Sequence, residues 1–208
     1  MRNPQPLRHR DNNQSLHSYA DEVWVRCVRC DASGVVRATW SPYRWDARFR
    51  CGQCLAQLSS AAGDWVGPVA FCGRRPCGHC GHKWLSVRVQ REAAPAQRPG
   101  EWPALCPACG RTSQVAVEMG RVHVAESCRD PHFGLPLRLT TPTRHGTLWV
   151  YNPRHLAALS SYIHASLREH HGAHHYAMLS RLPRWMKLAR NRAELANALA
   201  RLEALRQG

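Results

Sequence analysis

Acidic residues and lysine are scarce in this chain. Only 14 aspartates and glutamates stand against 29 lysines and arginines, which gives a formal net charge of +15. Just two of those cations are lysines, Lys83 and Lys187. A GC-rich codon bias explains the preference for arginine but not the shortage of acids. A basic excess of this size favours an anionic partner, with nucleic acid first.

The chain also lacks long apolar runs. No stretch of eighteen consecutive apolar residues is present, so we expect no membrane-spanning helix. The N-terminal residues are polar and contain no apolar core of a secretory signal. We therefore expect a cytoplasmic protein. In that reducing compartment the ten cysteines favour metal binding over disulfides.

Eight of the cysteines form four Cys-x-x-Cys pairs, and the pairs alternate with strand-like segments. Twenty residues separate the first two pairs and twenty-five separate the last two, which is the spacing of a zinc ribbon, repeated once. Four thiolates close the coordination of a tetrahedral zinc ion, so we expect two structural zinc ions and no open catalytic position. The predicted ligands are Cys27, Cys30, Cys51 and Cys54 for the first site, and Cys77, Cys80, Cys106 and Cys109 for the second.

The tetrapeptide Cys77-Gly78-His79-Cys80 also matches the active-site pattern of a disulfide isomerase. A redox pair of that kind lies at the N-terminus of a helix, which lowers the pKa of the attacking thiol. Here the residues after Cys80 alternate between apolar and polar, as in a strand. The sequence therefore favours a zinc knuckle over a thiol oxidoreductase.

Two cysteines and a histidine cluster remain outside this scheme. Cys72 and Cys128 are expected to be free thiols. His170, His171, His174 and His175 surround Gly172 and predict a solvated polar loop, with adventitious metal binding as the alternative.

The segment after the ribbons changes character. Alternating leucines, a Pro/Gly turn and a second alternating run predict a β-hairpin at about residues 135–150. A helix is predicted to begin with Asn152 as its cap and Pro153 in its first turn, and to close at Gly172. A short helix from Pro183 and a last helix capped by Asn191 are predicted to follow.

The fold class predicted from these patterns is α+β: two four-cysteine zinc ribbons of short antiparallel strands, then a β-hairpin and a C-terminal helical subdomain. The expected layout is a disordered tail (1–20), a first ribbon (21–58), a connector (59–71), a second ribbon (72–133), and the hairpin with the helical subdomain (134–208).

Basic residues are dense in two places. From Gly134 to the end, eleven arginines and lysines oppose three glutamates. On the predicted helix from Pro183, the cations Arg184, Lys187 and Arg190 occupy one side, opposite Trp185, Leu188 and Ala189. The basic side either contacts phosphate or is merely solvated. Arginines on the first ribbon alternate with aromatic residues that either stack on bases or form the ribbon's core. The candidate nucleic-acid contacts are Arg181, Arg184, Lys187, Arg190 and Arg192 in the tail, and Arg48 and Arg50 on the ribbon.

Several longer segments resemble a family of uncharacterised bacterial proteins described as zinc-ribbon containing. They are "VWVRCVRC", "ARFRCGQC", "WVGPV", "DPHFGLPLRL", "LWVYNPRHLAALSSYIHASLRE" and "LSRLPRWMKLARNR", and together they span most of residues 22–202. The resemblance implies zinc, a bacterial cytoplasmic origin and the two-part layout. It implies no particular chemistry.

The function predicted from the sequence is a zinc-binding, non-enzymatic module that contacts nucleic acid or a nucleoprotein through basic surfaces. The alternative is a protein–protein adaptor that docks a partner through its helical tail. The sequence leaves open the choice of DNA, RNA or protein, the oligomeric state and the pathway.

Overall fold

The computed structural model describes residues 8–123, 128–169 and 176–207. Short strands dominate, and the helices lie near the C-terminus, as the α+β prediction requires. The strands are β1 Arg8–Arg10, β2 Glu22–Arg26, β3 Ser33–Ser41, β4 Arg44–Arg50, β5 Gln57–Ser59, β6 Val69–Arg75, β7 Leu85–Arg91, β8 Glu101–Leu105, β9 Thr112–Ala116, β10 Glu118–Arg121, β11 Thr140–Thr143, β12 Gly146–Trp149 and β13 Leu167–Glu169. The α-helices are α1 Pro153–His164, α2 Arg184–Lys187 and α3 Arg192–Gln207.

The chain forms two compact units. Unit 1 contains residues 1–63 and 128–208, and unit 2 contains residues 64–127. The first ribbon thus shares a unit with the hairpin and the helices, although the second ribbon separates them in sequence. The expected connector is divided as well, because its end already belongs to strand β6.

In unit 1 the first ribbon is a four-stranded antiparallel sheet in the order β2-β3-β4-β5. Val36 lies opposite Phe49 and Ala38 opposite Ala47, and all four side chains are buried on one face. The intervening residues are polar and face outward, as strand alternation requires. This pattern fixes the register, since a slip by one residue would expose the whole apolar set.

Backbone hydrogen bonds connect this sheet to the segment after residue 128. The N–H of Trp24 donates to the carbonyl of Tyr151 (2.7 Å), and the N–H of Arg26 donates to that of Pro136 (2.8 Å). Val25 also forms an isolated antiparallel bridge with Leu137. These contacts cover the outer edge of β2, which an isolated ribbon would leave open to other strands.

Helix α1 begins as predicted but ends early. The Asn152 side chain accepts a hydrogen bond from the backbone N–H of His155, and Pro153 lies in the first turn. Leu156, Leu159 and Ile163 are buried on its inner face. The helix stops at His164, because the following residues become extended and β13 pairs in parallel with β1. The predicted closure at Gly172 lies outside the described residues.

The predicted helix from Pro183 is wrong beyond its first turn. Helix α2 stops at Lys187, and Leu188 adopts an extended conformation with ψ 129°. Asn191 does not cap α3 in the predicted way. Its side-chain amide donates to the carbonyl of Trp185 (2.8 Å) and its side-chain oxygen accepts from Arg144 (2.8 Å). Side-chain bonding to other segments thus competes with the regular helix.

The N-terminal segment, expected to be a disordered tail, has defined structure from residue 8 onward. After β1, a 3-10 turn at Leu16–Tyr19 buries Tyr19. The side chain of Asn152 donates to the carbonyls of Tyr19 (2.8 Å) and Glu22 (2.6 Å). A polar composition predicted disorder, but a buried amide and a parallel strand partner hold this segment in place.

Unit 2 consists of the three-stranded sheet β10-β6-β7 and the hairpin β8-β9. Its core is small. Besides Val69, Ala70 and Phe71 of β6, which are buried as well, it contains a buried cluster of five residues, Cys77, Leu85, Val87, Cys106 and Val115. Two of these five are predicted zinc ligands, so apolar burial alone offers little stability to this unit.

Within the part of the chain that the structure describes, no helix combines the length and apolar character that a membrane crossing needs.

Candidate metal centres and basic surfaces

All four Cys-x-x-Cys pairs adopt the same knuckle. The backbone N–H of the first cysteine donates to the carbonyl five residues later, as from Cys27 to Ala32 and from Cys77 to His82, both at 2.9 Å. The residue after the second cysteine always has positive φ. This residue is a glycine in both knuckles of unit 2. In unit 1 the strained positions hold Asp31 (φ 57°) and Leu55 (φ 58°). The same turn recurs in all four knuckles even where a residue other than glycine must adopt positive φ. Such strain persists where a site requires it, and here the turn presents two thiolates.

The knuckles bring the cysteines together in two groups of four. The sulfur of Cys27 lies 3.6 Å from that of Cys54, and Cys30 lies 3.5 Å from Cys51. In unit 2 the corresponding distances are 3.8 Å for Cys77 to Cys109 and 3.7 Å for Cys80 to Cys106. A tetrahedron with Zn–S bonds of ~2.3 Å has edges of about 3.8 Å. Both groups therefore fit a zinc ion.

Backbone donors prepare one thiolate in each group. Hydrogen bonds from the N–H groups of Cys54 and Gln53 lower the pKa of Cys51 to about 6. Hydrogen bonds from the N–H groups of His79 and Cys80 lower the pKa of Cys77 to about 6. These backbone hydrogen bonds therefore favour the thiolate form of Cys51 and Cys77, which is the form that binds a metal.

Cys30 and Cys80 show the opposite shift, towards the protonated thiol. A hydrogen bond from Ala32 lowers the pKa of Cys30, but burial and the neighbouring sulfurs outweigh it and raise that pKa to about 12. A hydrogen bond from the backbone of His82 lowers the pKa of Cys80, but the sulfur of Cys109, burial and the other sulfurs outweigh it and raise that pKa to about 12. Because four thiolates repel one another, binding of a divalent metal must release protons.

The two groups differ in exposure. The first cysteine of every knuckle is buried. The second cysteines of unit 1, Cys30 and Cys54, are half-buried, whereas those of unit 2, Cys80 and Cys109, are exposed. The second group is therefore more accessible to chelators and thiol reagents than the first.

The prediction of two structural zinc ions is confirmed by these two clusters, which contain the eight expected cysteines. Cys72 and Cys128 lie outside both clusters. The disulfide-isomerase alternative lacks the required helix, because the chain after Cys80 turns directly into strand β7. The closed donor sets have no position left for a substrate.

The first basic surface is the outer face of the β3-β4 hairpin. Arg37 and Arg48 occupy directly opposite positions in the two strands, and both side chains are more than 70% exposed. Arg50 and Arg44 follow on the same face of β4. Like charges in opposed positions repel. Among the described residues, Glu22 pairs with Arg37 and Asp46 with Arg48, while Arg44 and Arg50 form no ion pair.

The aromatic residues of the first ribbon divide between the core and the surface. Phe49 is buried, and Trp45 is half-buried next to His17 and His132. Trp40 is 51% exposed and Tyr43, at the hairpin turn, is 98% exposed. The core interpretation is therefore right for Phe49, and stacking of Trp40 and Tyr43 on bases stays a prediction.

The C-terminal candidate cations do not form one helical stripe. Arg181, Arg184 and Arg190 are exposed. Lys187 is half-buried and donates to the carbonyl of Ser180 (2.6 Å), so it caps the preceding 3-10 turn. Arg192 is half-buried at the start of α3, with its Nε shielded from solvent. The structure brings Arg184 and Arg190 together around a cleft that the helical pattern did not predict.

The chain matches no protein-family model, no curated protein and no solved structure.

Proposed function

We propose that this chain is a non-enzymatic zinc-binding module that contacts nucleic acid or a nucleoprotein through its basic surfaces. The observation that carries the proposal is the opposed pair of arginines, Arg37 and Arg48, on the exposed face of the first ribbon. Together with Arg44 and Arg50, this pair outnumbers the two acidic side chains on that face. A phosphate backbone relieves this repulsion and gains counterion-release entropy.

The net charge must also include the charge of the two metal sites. Each closed four-thiolate zinc site carries a charge of about −2, which leaves about +11 of the formal +15 with both sites filled. The chain therefore stays strongly basic with both metals bound. The zinc ions hold the ribbon strands in register and thereby fix the spacing of the arginines.

The adaptor alternative receives less support from the helical tail. The leucine stripe of α3 is turned inward, with Leu195, Leu199 and Leu202 buried. Among the large apolar side chains of this helix, only Leu205 is substantially exposed, at 39%. A helix that docks a partner presents an apolar face, and α3 uses its apolar face inside unit 1.

The test is binding of labelled single- and double-stranded oligonucleotides of random sequence to the zinc-loaded protein. We expect binding at about 50 mM salt that weakens steeply by about 200 mM salt. The double variant R44Q/R50Q removes the two arginines of this face that form no ion pair among the described residues. It should reduce the slope of log K against log salt by about 2 in magnitude, because the slope counts phosphate contacts.

The matched control is R154Q/R206Q, which removes the same charge from arginines that pair with Asp21 and Glu203. This control should leave the slope almost unchanged. If the protein binds neither the single-stranded nor the double-stranded oligonucleotide at about 50 mM salt, the proposal is wrong. Equal effects of the two double variants would show that net charge alone, and not the ribbon face, drives binding.

A further inference from the structure

A cleft lies between the turn of the β11-β12 hairpin and the interrupted helical segment after Pro183. It has a volume of about 670 Å³ and a largely apolar wall. This volume lies within the range of small-ligand sites. The lining residues are His145, Arg184, Trp185, Leu188, Ala189 and Arg190.

A stacked aromatic pair forms the floor of this cleft. The rings of His145 and Trp185 lie 5.1 Å apart between centroids, at 28°. Nε of Arg144 donates to Nε2 of His145 (3.1 Å), and Asn191 donates to the backbone carbonyl of Trp185 (2.8 Å). The ring of His145 and the backbone of Trp185 are thus held, and the stacked pair offers a preorganised platform for a third flat group.

The charged side chains that line the cleft are both cationic and both uncommitted. Among the residues that the structure describes, neither the Arg184 nor the Arg190 side chain forms a hydrogen bond or an ion pair. The neighbouring cations are committed, since Arg144 pairs with Glu194 (2.5 Å) and Lys187 donates to Ser180 (2.6 Å). The carboxylate of Glu194 is therefore already paired, no acidic residue lines the cleft, and the cleft is complementary to an anion.

The helix break at Leu188 creates this arrangement. On a continuous helix Trp185 and the arginines would occupy opposite faces. The extended conformation of Leu188 instead turns the next residues back, so that Arg184, Trp185 and Arg190 line the same space. An aromatic platform next to two free guanidinium groups is the combination that recognises a base and its flanking phosphates.

We infer that this cleft binds one unpaired base of a single-stranded nucleic acid, with the base on the His145–Trp185 stack and the adjacent phosphates at Arg184 and Arg190. The inference rests on the proposed function and specifies its ligand. A base within a duplex is already stacked and paired, so only an unpaired base can enter. Stacking accepts any base, and the site therefore selects single strands without reading their sequence.

The experiment compares two probes of equal length and charge, a fluorescein-labelled oligothymidylate and its abasic counterpart. The wild-type protein should bind the oligothymidylate about tenfold more tightly, because only this probe offers bases to stack. Trp185→Leu should bind both probes equally, close to the wild-type affinity for the abasic probe. Trp185→Phe keeps an aromatic ring and should retain most of the preference. Zinc content and circular dichroism check that each variant folds.

A second pair of variants tests the phosphate contacts independently of Trp185. R184Q/R190Q should lower the magnitude of the salt slope by about 2 and preserve the base preference, whereas R154Q/R206Q should not change the slope. If the wild-type protein binds neither probe and no double-stranded oligonucleotide at about 50 mM salt, the proposed function itself fails. If it binds the duplex but neither probe, or binds both probes equally, only this inference is overturned. If it binds the oligothymidylate but Trp185→Leu keeps the full preference, or R184Q/R190Q keeps the full slope, the cleft is not the site and only this inference is overturned.

Discussion

The imidazole of His155 stacks on the ring of Tyr19, with 5.0 Å between the ring centroids and 20° between the planes. Nδ1 of His155 accepts a hydrogen bond from the backbone N–H of Tyr151 (3.2 Å). Burial lowers the pKa of His155 to about 4. Unit 1 is therefore built around a histidine that must stay neutral.

The first prediction is a pH dependence of stability that His155 produces. The pKa of this histidine is about 6.5 in the unfolded chain and about 4 in the folded protein, so the unfolded chain binds more protons between these values. The contribution of neutral His155 to the free energy of unfolding is therefore complete above pH ~6.5. This contribution is lost as the pH falls towards ~4, by at most ~1.4 kcal/mol per pH unit.

Urea unfolding of wild type and His155→Gln between those pH values measures this effect. Zinc thiolates also titrate there, but equally in both proteins, so the difference between the two curves isolates His155. The exposed His164→Gln should follow the wild type. If the His155→Gln and wild-type curves run parallel, His155 is not the source.

The second prediction concerns strain in a zinc knuckle. Leu55 has φ 58° and a 60% exposed side chain. Left-handed conformation costs a residue such as leucine about 1–2 kcal/mol, and glycine loses about 0.4–1 kcal/mol through its freer unfolded state. Leu55→Gly should therefore stabilise the zinc-loaded protein by about 0.5–1 kcal/mol. Asp31→Gly should gain less, because aspartate tolerates this conformation and Asp31 pairs with Arg26.

The urea midpoint of unfolding measures both variants. Equal or lower stability of Leu55→Gly contradicts the assignment of strain at this position.

The third prediction concerns a close approach of strands in unit 2. A Cβ on Gly73 would lie 2.1 Å from the backbone carbonyl oxygen of Ala116. Because a backbone atom cannot rotate away, Gly73→Ala must separate β6 from β9, at a cost of at least about 1–3 kcal/mol. We expect weakened zinc binding at the second site. Gly100→Ala meets no atom within 4 Å and should retain both zinc ions, as measured by metal analysis under competition with a chelator.

The fourth prediction is a two-phase release of zinc. With a chromogenic chelator and a thiol reagent, one equivalent should leave quickly from the site with exposed Cys80 and Cys109, and the second should leave slowly. Cys106→Ser should abolish the fast phase, and Cys51→Ser the slow one. A single phase in the wild type, or a fast phase that survives Cys106→Ser, contradicts the difference in accessibility.

The metal sites were predictable from sequence because each knuckle is formed by residues that are close together in the chain. A Cys-x-x-Cys knuckle is closed by its own backbone hydrogen bonds, and the spacing to the next knuckle matches a folded-back hairpin. The strands of the first ribbon followed from alternation for the same reason, since Val36, Ala38, Ala47 and Phe49 mark one face without reference to the rest of the chain.

The cleft and the helix ends could not be predicted in this way. Helical periodicity placed Trp185 and Arg184 on opposite faces, but Asn191 bonds Arg144 and the carbonyl of Trp185, and the helix breaks at Leu188. Arg144 is distant from Asn191 in sequence, and the bond between Asn191 and the carbonyl of Trp185 leaves no trace in the helical periodicity. No local pattern shows which polar side chain will bond to a carbonyl elsewhere.

By itself, the sequence determined the eight zinc ligands, the ribbon strands and the basic excess, because metal coordination and strand alternation depend on short-range spacing. Only the tertiary structure decided that the first ribbon shares a unit with residues 128–208, that the segment from residue 8 is held by Asn152, and that His145 meets Trp185. Each of these depends on contacts between residues far apart in the chain, whose gain must exceed the entropy of closing long loops.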